Sequence, residues 1–219
     1  MARGSQDHHD PGAVPGTAGV TGAGVTGTID GLILAAGESR RMGSHKALLP
    51  FSGQTFLDTL IELFARHCRH VTVVLGFDAA RIREGLARGA QTSFVGNPEY
   101  RAGQLSSLQA GLRSMPEAEH ILLTLVDHPA VRDATIARIV SSPALLAIPQ
   151  YQGRHGHPIF FARSIAAELL ALPIDASARE VIHKYREQTR FVDVDDPGIL
   201  VDVDDAAAYA ALLRSSAPA

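Results

Sequence analysis

The stretch "LILAAGESRRMGSHKALL" (residues 32–49) decides how the chain is read. With Gly31 it opens on "GLILAA", an uninterrupted apolar run of the kind a strand shows when both its faces are covered. Directly behind that run stand Gly37, Arg40, Arg41, Gly43 and Lys46. An ordinary surface turn with solvated basic residues is one reading. Two glycines and three cations packed so closely behind a buried strand favour another, a built anion site. In open α/β sheets, ligands bind beyond the carboxyl ends of the strands, where backbone amides face outward. Gly37 and Gly43 let the backbone approach a phosphate, and Arg41 and Lys46 can neutralise its charge. The spacing is not that of a P-loop, because Ser44 follows Gly43 and the lysine comes later. Nor is it a dinucleotide fingerprint, because Ser39 holds the second glycine position. A nucleoside triphosphate on a loop of a third kind is the expectation.

Working outward, apolar runs and helical patterns alternate. "TFLDTLIELFARHC" places Phe56, Leu57, Leu60, Ile61, Phe64 and Ala65 at helical spacing, and "VTVVLGF" reads as the next strand. "DAARIREGLARG" predicts a short helix stopped by Gly89. "TSFVGN" and "HILLTLVDHP" predict two more strands, the second ending in Asp127, with "LSSLQAGLRSM" a helix between them. A helix around 132–141 and the apolar "ALLAIP" follow, then "HPIFF" as a strand and "SIAAELLAL" and "AREVIHKYREQ" as helices. "RFVDVDDPGILVDV" predicts two short strands joined around Asp196-Pro197-Gly198, before a last helix at "DDAAAYAALLRS". This alternation argues for an α/β fold: one domain, Rossmann-like and three-layered, with a mostly parallel, mixed sheet.

Residues 1–28 differ in character. Gly, Thr, Ala and Pro dominate, so the segment cannot bury enough surface to offset its ordering entropy and is expected to be a disordered tail, with the domain over residues 29–215. His8 and His9 read as part of that solvated tail. The whole chain of 219 residues is 46% hydrophobic, enough for one sizeable core. A net charge of -3 and a pI near 6.3 give no sign of general affinity for nucleic acid or anionic membrane. One cysteine, Cys68, excludes an internal disulfide framework and fits a reducing compartment. No apolar run reaches the ~20 residues of a membrane helix, and the first residues lack a secretory layout, so a cytoplasmic location is expected.

Four ordered segments carry a family resemblance. "LAAGESRRMGSHK" (34–46) resembles the L-A-A-G-x-S-x-R-M-G-x-x-K signature of the nucleotidyltransferases that act on molybdopterin. "NPEYRAGQLSSLQAGL" (97–112), "LTLVDHP" (123–129) and "GRHGHPIFF" (153–161) are similar to that family's next three motifs, and the resemblance spans about residues 29–213. It implies a nucleotidyltransferase domain that joins CMP from CTP to the phosphate of molybdenum-bound molybdopterin, releases pyrophosphate, and hands the product to a molybdoenzyme. It also implies that Leu34, Ala35, Ala36, Gly37, Arg41, Lys46, Asn97, Ser106 and Ser107 hold the nucleotide. Arg41, Lys46 and Asp127 serve catalysis in that comparison. Ala36 stands where guanylyltransferases of the family carry glycine, and its methyl narrows the base site toward a pyrimidine, a steric effect of ~1 to 3 kcal/mol.

The chemistry of such a transfer rests on positioning and charge neutralisation. Mg²⁺ prefers oxygen ligands, and Asp127, at the mouth of a buried strand, is the best first carboxylate. By register with the family's aspartate segment the second is Asp204, with Asp202 its rival; Asp205-Ala206-Ala207 departs from the family pattern, and a helix N-cap equally explains Asp204 or Asp205. Ser106 and Ser107 also suit capping at a helix start. Arg154, Gly156, His157 and Pro158 match the family's molybdopterin side; a turn leading into a strand is the other reading, and His155 and His157 alone make a weak metal signature. His128 replaces the family's usual Gln. "HCRH" (67–70) reads as the close of a helix and Cys68 as a buried apolar residue. Two other readings stay open: a transferase using GTP or a sugar or alditol phosphate, and a catalytically weak molybdopterin-binding chaperone.

Overall fold

A computed structural model describes residues 27–87, 92–142 and 144–216, together with Met1. The expected tail falls almost wholly outside the described residues, and so does Gly89.

The alternating pattern becomes strand β1 (Ile29–Ala35), a small hairpin of β2 (Pro50–Phe51) and β3 (Gln54–Thr55), and helix α1 (Phe56–Ala65). Then come β4 (His70–Leu75), α2 (Ala79–Glu84), β5 (Thr92–Gly96), α3 (Gln104–Arg113), β6 (His120–Leu125) and α4 (Asp133–Val140). The last third holds β7 (Leu146–Tyr151), β8 (Arg154–His155), β9 (Ile159–Ala162), α5 (Arg163–Ala171), α6 (Ala178–Lys184), β10 (Thr189–Asp193) and α7 (Ala206–Ser215).

The main sheet runs β10-β7-β9-β6-β1-β4-β5, with β8 paired to β7. β6, β1, β4 and β5 are mutually parallel, and β10 is parallel to β7. β9 reverses, pairing antiparallel with both β6 and β7, and the short β8 is likewise antiparallel to β7. The sheet is therefore mixed and mostly parallel, as expected.

Side-chain alternation along β1 sorts the core into two layers. Ile33 and Ala35 pack on the face covered by α1, α4 and α7 through Leu60, Phe64, Ile136 and Leu212. Leu32, Leu34 and Ala36 pack on the opposite face, covered by α3 and α5 through Leu108, Leu112, Ile165 and Leu169. Burial on both sides is why these strands are continuous apolar runs. Thr55 caps α1, its hydroxyl accepting from the Asp58 amide at 3.0 Å. The buried face of α1 includes Leu63, whereas Ala65 at its end is exposed.

Two expectations are corrected. α2 stops at Gly85, whose amide bonds back to Arg81 and Ile82, before Gly89 is reached. The second strand expected after Pro197 is a 3₁₀ turn, Pro197–Leu200, because Asp196 caps it through the Gly198 amide at 2.9 Å. "HCRH" does close α1 before β4, and Cys68 is buried, its thiol pushed up to about 12 by burial.

One glycine fixes the loop behind β1. The Phe77 amide donates to the Ala36 carbonyl at 3.1 Å, and a Cβ on Gly76 would stand 2.6 Å from that same carbonyl oxygen and 2.6 Å from Tyr100 Cβ. Gly76→Ala is expected to cost about 1–3 kcal/mol by overpacking, read as a lower urea midpoint.

His120 stacks on Phe160 with ring centroids 5.2 Å apart, and its Nδ1 is enclosed without a protein partner. Burial lowers its pKa from the ordinary 6.5, against the weaker opposing pull of Glu119. The folded state thus holds it neutral while the unfolded chain takes up the proton, so stability falls as pH drops below about 6.5. Urea midpoints at pH 7.5 and 5.5 should diverge less in His120→Phe than in the native chain.

Candidate active site

The carboxyl ends of β1 and β6 lie side by side, and the chain leaves them toward the same cleft. Beyond Ala35, the loop turns at Ser39 (φ 51°) and Gly43 (φ 66°), a backbone region that glycine enters most cheaply. The Met42 amide closes the first turn on the Ser39 carbonyl at 3.0 Å, and the Lys46 amide donates to Ser39 Oγ at 3.2 Å. This brings Lys46 inward, and the residue is only 9% exposed.

Its ammonium lies between two carboxylates, 3.0 Å from Asp127 Oδ2 and 2.6 Å from Asp204 Oδ1. Arg41 Nη2 reaches the other oxygen of Asp204 at 2.6 Å. Burial alone would lower the pKa of Lys46, but the bond to Asp204 and the charge of Asp127 outweigh it and raise it. Asp204 is shifted down, chiefly by the Lys46 hydrogen bond. Arg40, the third cation of the loop, also borders the cleft but pairs with Glu38, which in turn accepts from Arg101 at 2.9 Å.

The 202–204 segment is held in place by its own backbone. The Val203 amide donates to the Asp127 carbonyl at 3.0 Å, and Asp205 caps α7 by accepting from the Ala208 amide at 2.8 Å. Asp205 is therefore the helix cap, leaving Asp204 free to face Lys46.

Asp127 serves two neighbours. Oδ2 takes Lys46, while Oδ1 is enclosed and has no hydrogen-bond partner among the described residues. Beside it stand His128 and Asp202, with one ligand atom from each of the three residues within 4.8 Å of the others. A buried carboxylate oxygen with no donor, flanked by a second carboxylate and an imidazole, fits a divalent cation. The Asp202 carboxyl is pushed up by burial and by the charges of Asp127 and Asp204.

The cleft, about 350 Å³, brings together Leu34, Ala35, Ala36, Gly37, Arg41, Lys46, Ser107, Asp127 and Asp204. Asn97 and Ser106 do not line it. Asn97 donates to Ser106 Oγ at 2.9 Å and Ser107 Oγ at 3.0 Å and accepts from the Glu99 amide at 3.0 Å, while Ser106 donates to the Gly103 and Glu99 carbonyls. Both are buried and scaffold the start of α3. Tyr100, Gly103 and Gln104 join the lining, although nothing in the sequence singled them out. Gly103, at φ 119°, is the one signal that a sharp turn precedes the helix.

Arg154, Gly156, His157 and Pro158 lie outside that cleft. Arg154 is exposed on β8, and Gly156 packs against the 3₁₀ turn so closely that a Cβ would meet the Ile199 carbonyl at 2.1 Å. His157 packs on His128 with ring centroids 4.6 Å apart and the rings tilted by 33°, and burial pushes its pKa down to about 4. His155 is engaged elsewhere, stacked on Phe191 at 4.2 Å.

A three-layer α/β domain with cations, paired carboxylates and a glycine-bearing loop at the strand ends defines an enzyme of the nucleotidyltransferase class. The MobA-like NTP transferase domain matches residues 31–189, and the chain belongs to that family. It is 29% identical to the molybdenum cofactor cytidylyltransferase of Escherichia coli over 177 residues, covering 80% of this chain and 91% of that protein. It is equally 29% identical to a protein named nicotine blue oxidoreductase from Paenarthrobacter nicotinovorans, covering 80% and 92%. Among solved structures it resembles Rv0371c of Mycobacterium tuberculosis, with TM-score 0.74 and 32% identity over 87% of this chain and all of that one. A further structure of Rv0371c is a complex with manganese, at TM-score 0.70 and 29% identity, covering 86% and 99%.

Because Asn97 satisfies three partners at once, Asn97→Ala should strip the Ser107 hydroxyl and the Glu99 amide of their bonds to it and cost about 1–3 kcal/mol in urea unfolding. Ser107→Ala, which removes only one of those contacts, should cost less.

Proposed function

We propose that the chain transfers CMP from CTP to the phosphate of molybdenum-bound molybdopterin. The observation that carries this is the Arg41–Lys46 pair facing Asp127 and Asp204 at the strand ends, and the cytidylyltransferase relative supports the choice of substrates. An acceptor phosphate oxygen attacks the α-phosphorus in line, the new P–O bond forms, and the bond to the β-phosphate oxygen breaks as pyrophosphate leaves.

The protein's part is to bind and neutralise. Leu34, Ala35, Ala36 and Gly37 form the backbone cradle for the nucleotide, with Ser107 at the base and ribose side. Arg41 and Lys46 exchange their carboxylate partners for phosphate oxygens, so the charge that holds the cleft together without ligand is the charge that receives the triphosphate. A divalent cation, Mg²⁺ in the simplest case, would be held by Asp127, with Asp204 as second carboxylate once Arg41 and Lys46 have turned to phosphate, and it would supply neutralisation of the phosphate charge. Arg154, Gly156, His157 and Pro158 serve the molybdopterin side, Asn97 and Ser106 hold the nucleotide-binding turn in shape, and a molybdoenzyme receives the product. The Ala36 methyl at the cleft wall favours cytosine over a purine.

Pyrophosphate release with Mg²⁺ and molybdenum-loaded molybdopterin, offering CTP, GTP and ATP separately, tests the reading. Turnover is expected with CTP. Lys46→Ala should lower kcat by about 10²–10³-fold, as for loss of a charged group facing the transferred phosphate, and Asp127→Ala should abolish turnover. Preference for GTP would overturn the Ala36 argument. Tight pterin binding with no turnover on any nucleotide would make the chain a chaperone.

A further inference from the structure

We propose that Asp127, His128 and Asp202 form a mixed oxygen–nitrogen cation site that selects a transition-metal dication, of the Mn²⁺, Co²⁺ or Zn²⁺ kind, over Mg²⁺. The inference rests on the proposed transferase reading only for what the cation does; the site itself is defined by these three side chains.

The carboxylate of Asp127 divides its work. Oδ2 belongs to Lys46, and Oδ1 is enclosed with no donor in reach. His128 Nε2 stands 3.8 Å from Oδ1. That is too long for a hydrogen bond. It is the spacing of two donors bound to one cation, since ligands about 2.1 Å from a common ion stand about 3 to 4 Å apart. His128 is 7% exposed, and its Nδ1 is likewise without a partner. Its ring packs against His157, which limits how far it can turn away from Asp127. Asp202 completes the set from the solvent side.

Asp204, by contrast, has both oxygens taken by Lys46 and Arg41. Without nucleotide the cleft therefore separates into a cationic half, in which Asp204 is engaged, and a donor half of Asp127, His128 and Asp202. Transition dications gain affinity at a mixed nitrogen–oxygen site along the series that begins with Mn²⁺ and rises through Co²⁺, whereas Mg²⁺ is bound through one or two carboxylates and keeps its waters. A glutamine at position 128 would offer only an amide oxygen; the histidine here changes the class of ion.

The test uses the metal-free full chain without nucleotide, so it is blind to whether CMP transfer occurs. Binding of Mn²⁺, Co²⁺, Zn²⁺ and Mg²⁺ is measured by calorimetry, and bound Mn²⁺ is examined by pulsed paramagnetic resonance for coupling to ¹⁴N. One Mn²⁺ per chain with nitrogen coupling is expected, displaced by Mg²⁺ only at a hundredfold excess or more. His128→Gln should abolish the coupling and weaken Mn²⁺ at least tenfold while changing Mg²⁺ affinity less than twofold. Asp202→Asn should weaken Mn²⁺ yet keep the coupling. Mn²⁺ bound without nitrogen coupling, coupling that survives His128→Gln, or Mg²⁺ competing at equal concentration would each overturn the proposal. Should His128→Gln not fold, the native chain's coupling and the Asp202→Asn titration decide it.

Discussion

A buried ammonium shared by two carboxylates organises the functional end of this molecule. Lys46 comes from the loop after β1, Asp127 from the end of β6 and Asp204 from the approach to α7, and no two of these are near in sequence. Taking a lysine and an aspartate out of water is costly, and their attraction offsets that cost only when every donor and acceptor finds a partner. Here the lysine is satisfied twice and Asp204 accepts on both oxygens, while Asp127 keeps one oxygen in reserve. The arrangement is complete on the side of the cations and leaves one carboxylate oxygen of Asp127 open. The proposed binding of a polyanion together with a dication needs that asymmetry.

The sheet supplies the precision. β1 and β6 are adjacent and parallel, and the Val126 amide still bonds to the Leu34 carbonyl at 3.0 Å, so both chains leave the sheet in fixed register. Two apolar layers press on β1 from opposite faces, which leaves the strand little freedom to slide or twist. Positional accuracy of this sort is what transfer chemistry demands, because small displacements of reacting groups cost large factors in rate.

The buried strand was legible in residues 32–49, since an apolar run that ends in glycine and cations marks a strand end and raises the expectation of an anion site. Asp127 was legible for the same reason, as a charge at the end of an apolar run. What the sequence concealed are matters of competition between equivalent residues. Asp204 and Asp205 are chemically the same, and only the amide of Ala208 decides which one caps the helix. Asn97 and Ser106 carry the right groups for a nucleotide but spend them on each other, a choice invisible in one dimension. The run after Pro197 has β-branched residues suited to a strand, yet the Asp196 cap bends it into a 3₁₀ turn. The division of labour at Asp127 depends on which oxygen faces which neighbour, and that too is a tertiary fact.

The reversed strand β9 has a consequence for how the two ends of the cleft can change. Every parallel strand delivers its last residues to the functional edge, but β9 runs the other way and delivers its first, with Ile159 opposite Leu123. The 154–158 segment, including His157 against His128, therefore hangs from the beginning of a strand whose far end is secured by Arg163 at the opposite rim, where its amide donates to the Glu119 carbonyl at 2.8 Å. The 154–158 segment is thereby tied to the same strand that carries Asp127, through the β9–β6 pairing and the His157–His128 contact, so a change of length or shape in that segment is transmitted to the metal-facing side of Asp127 before it reaches β1.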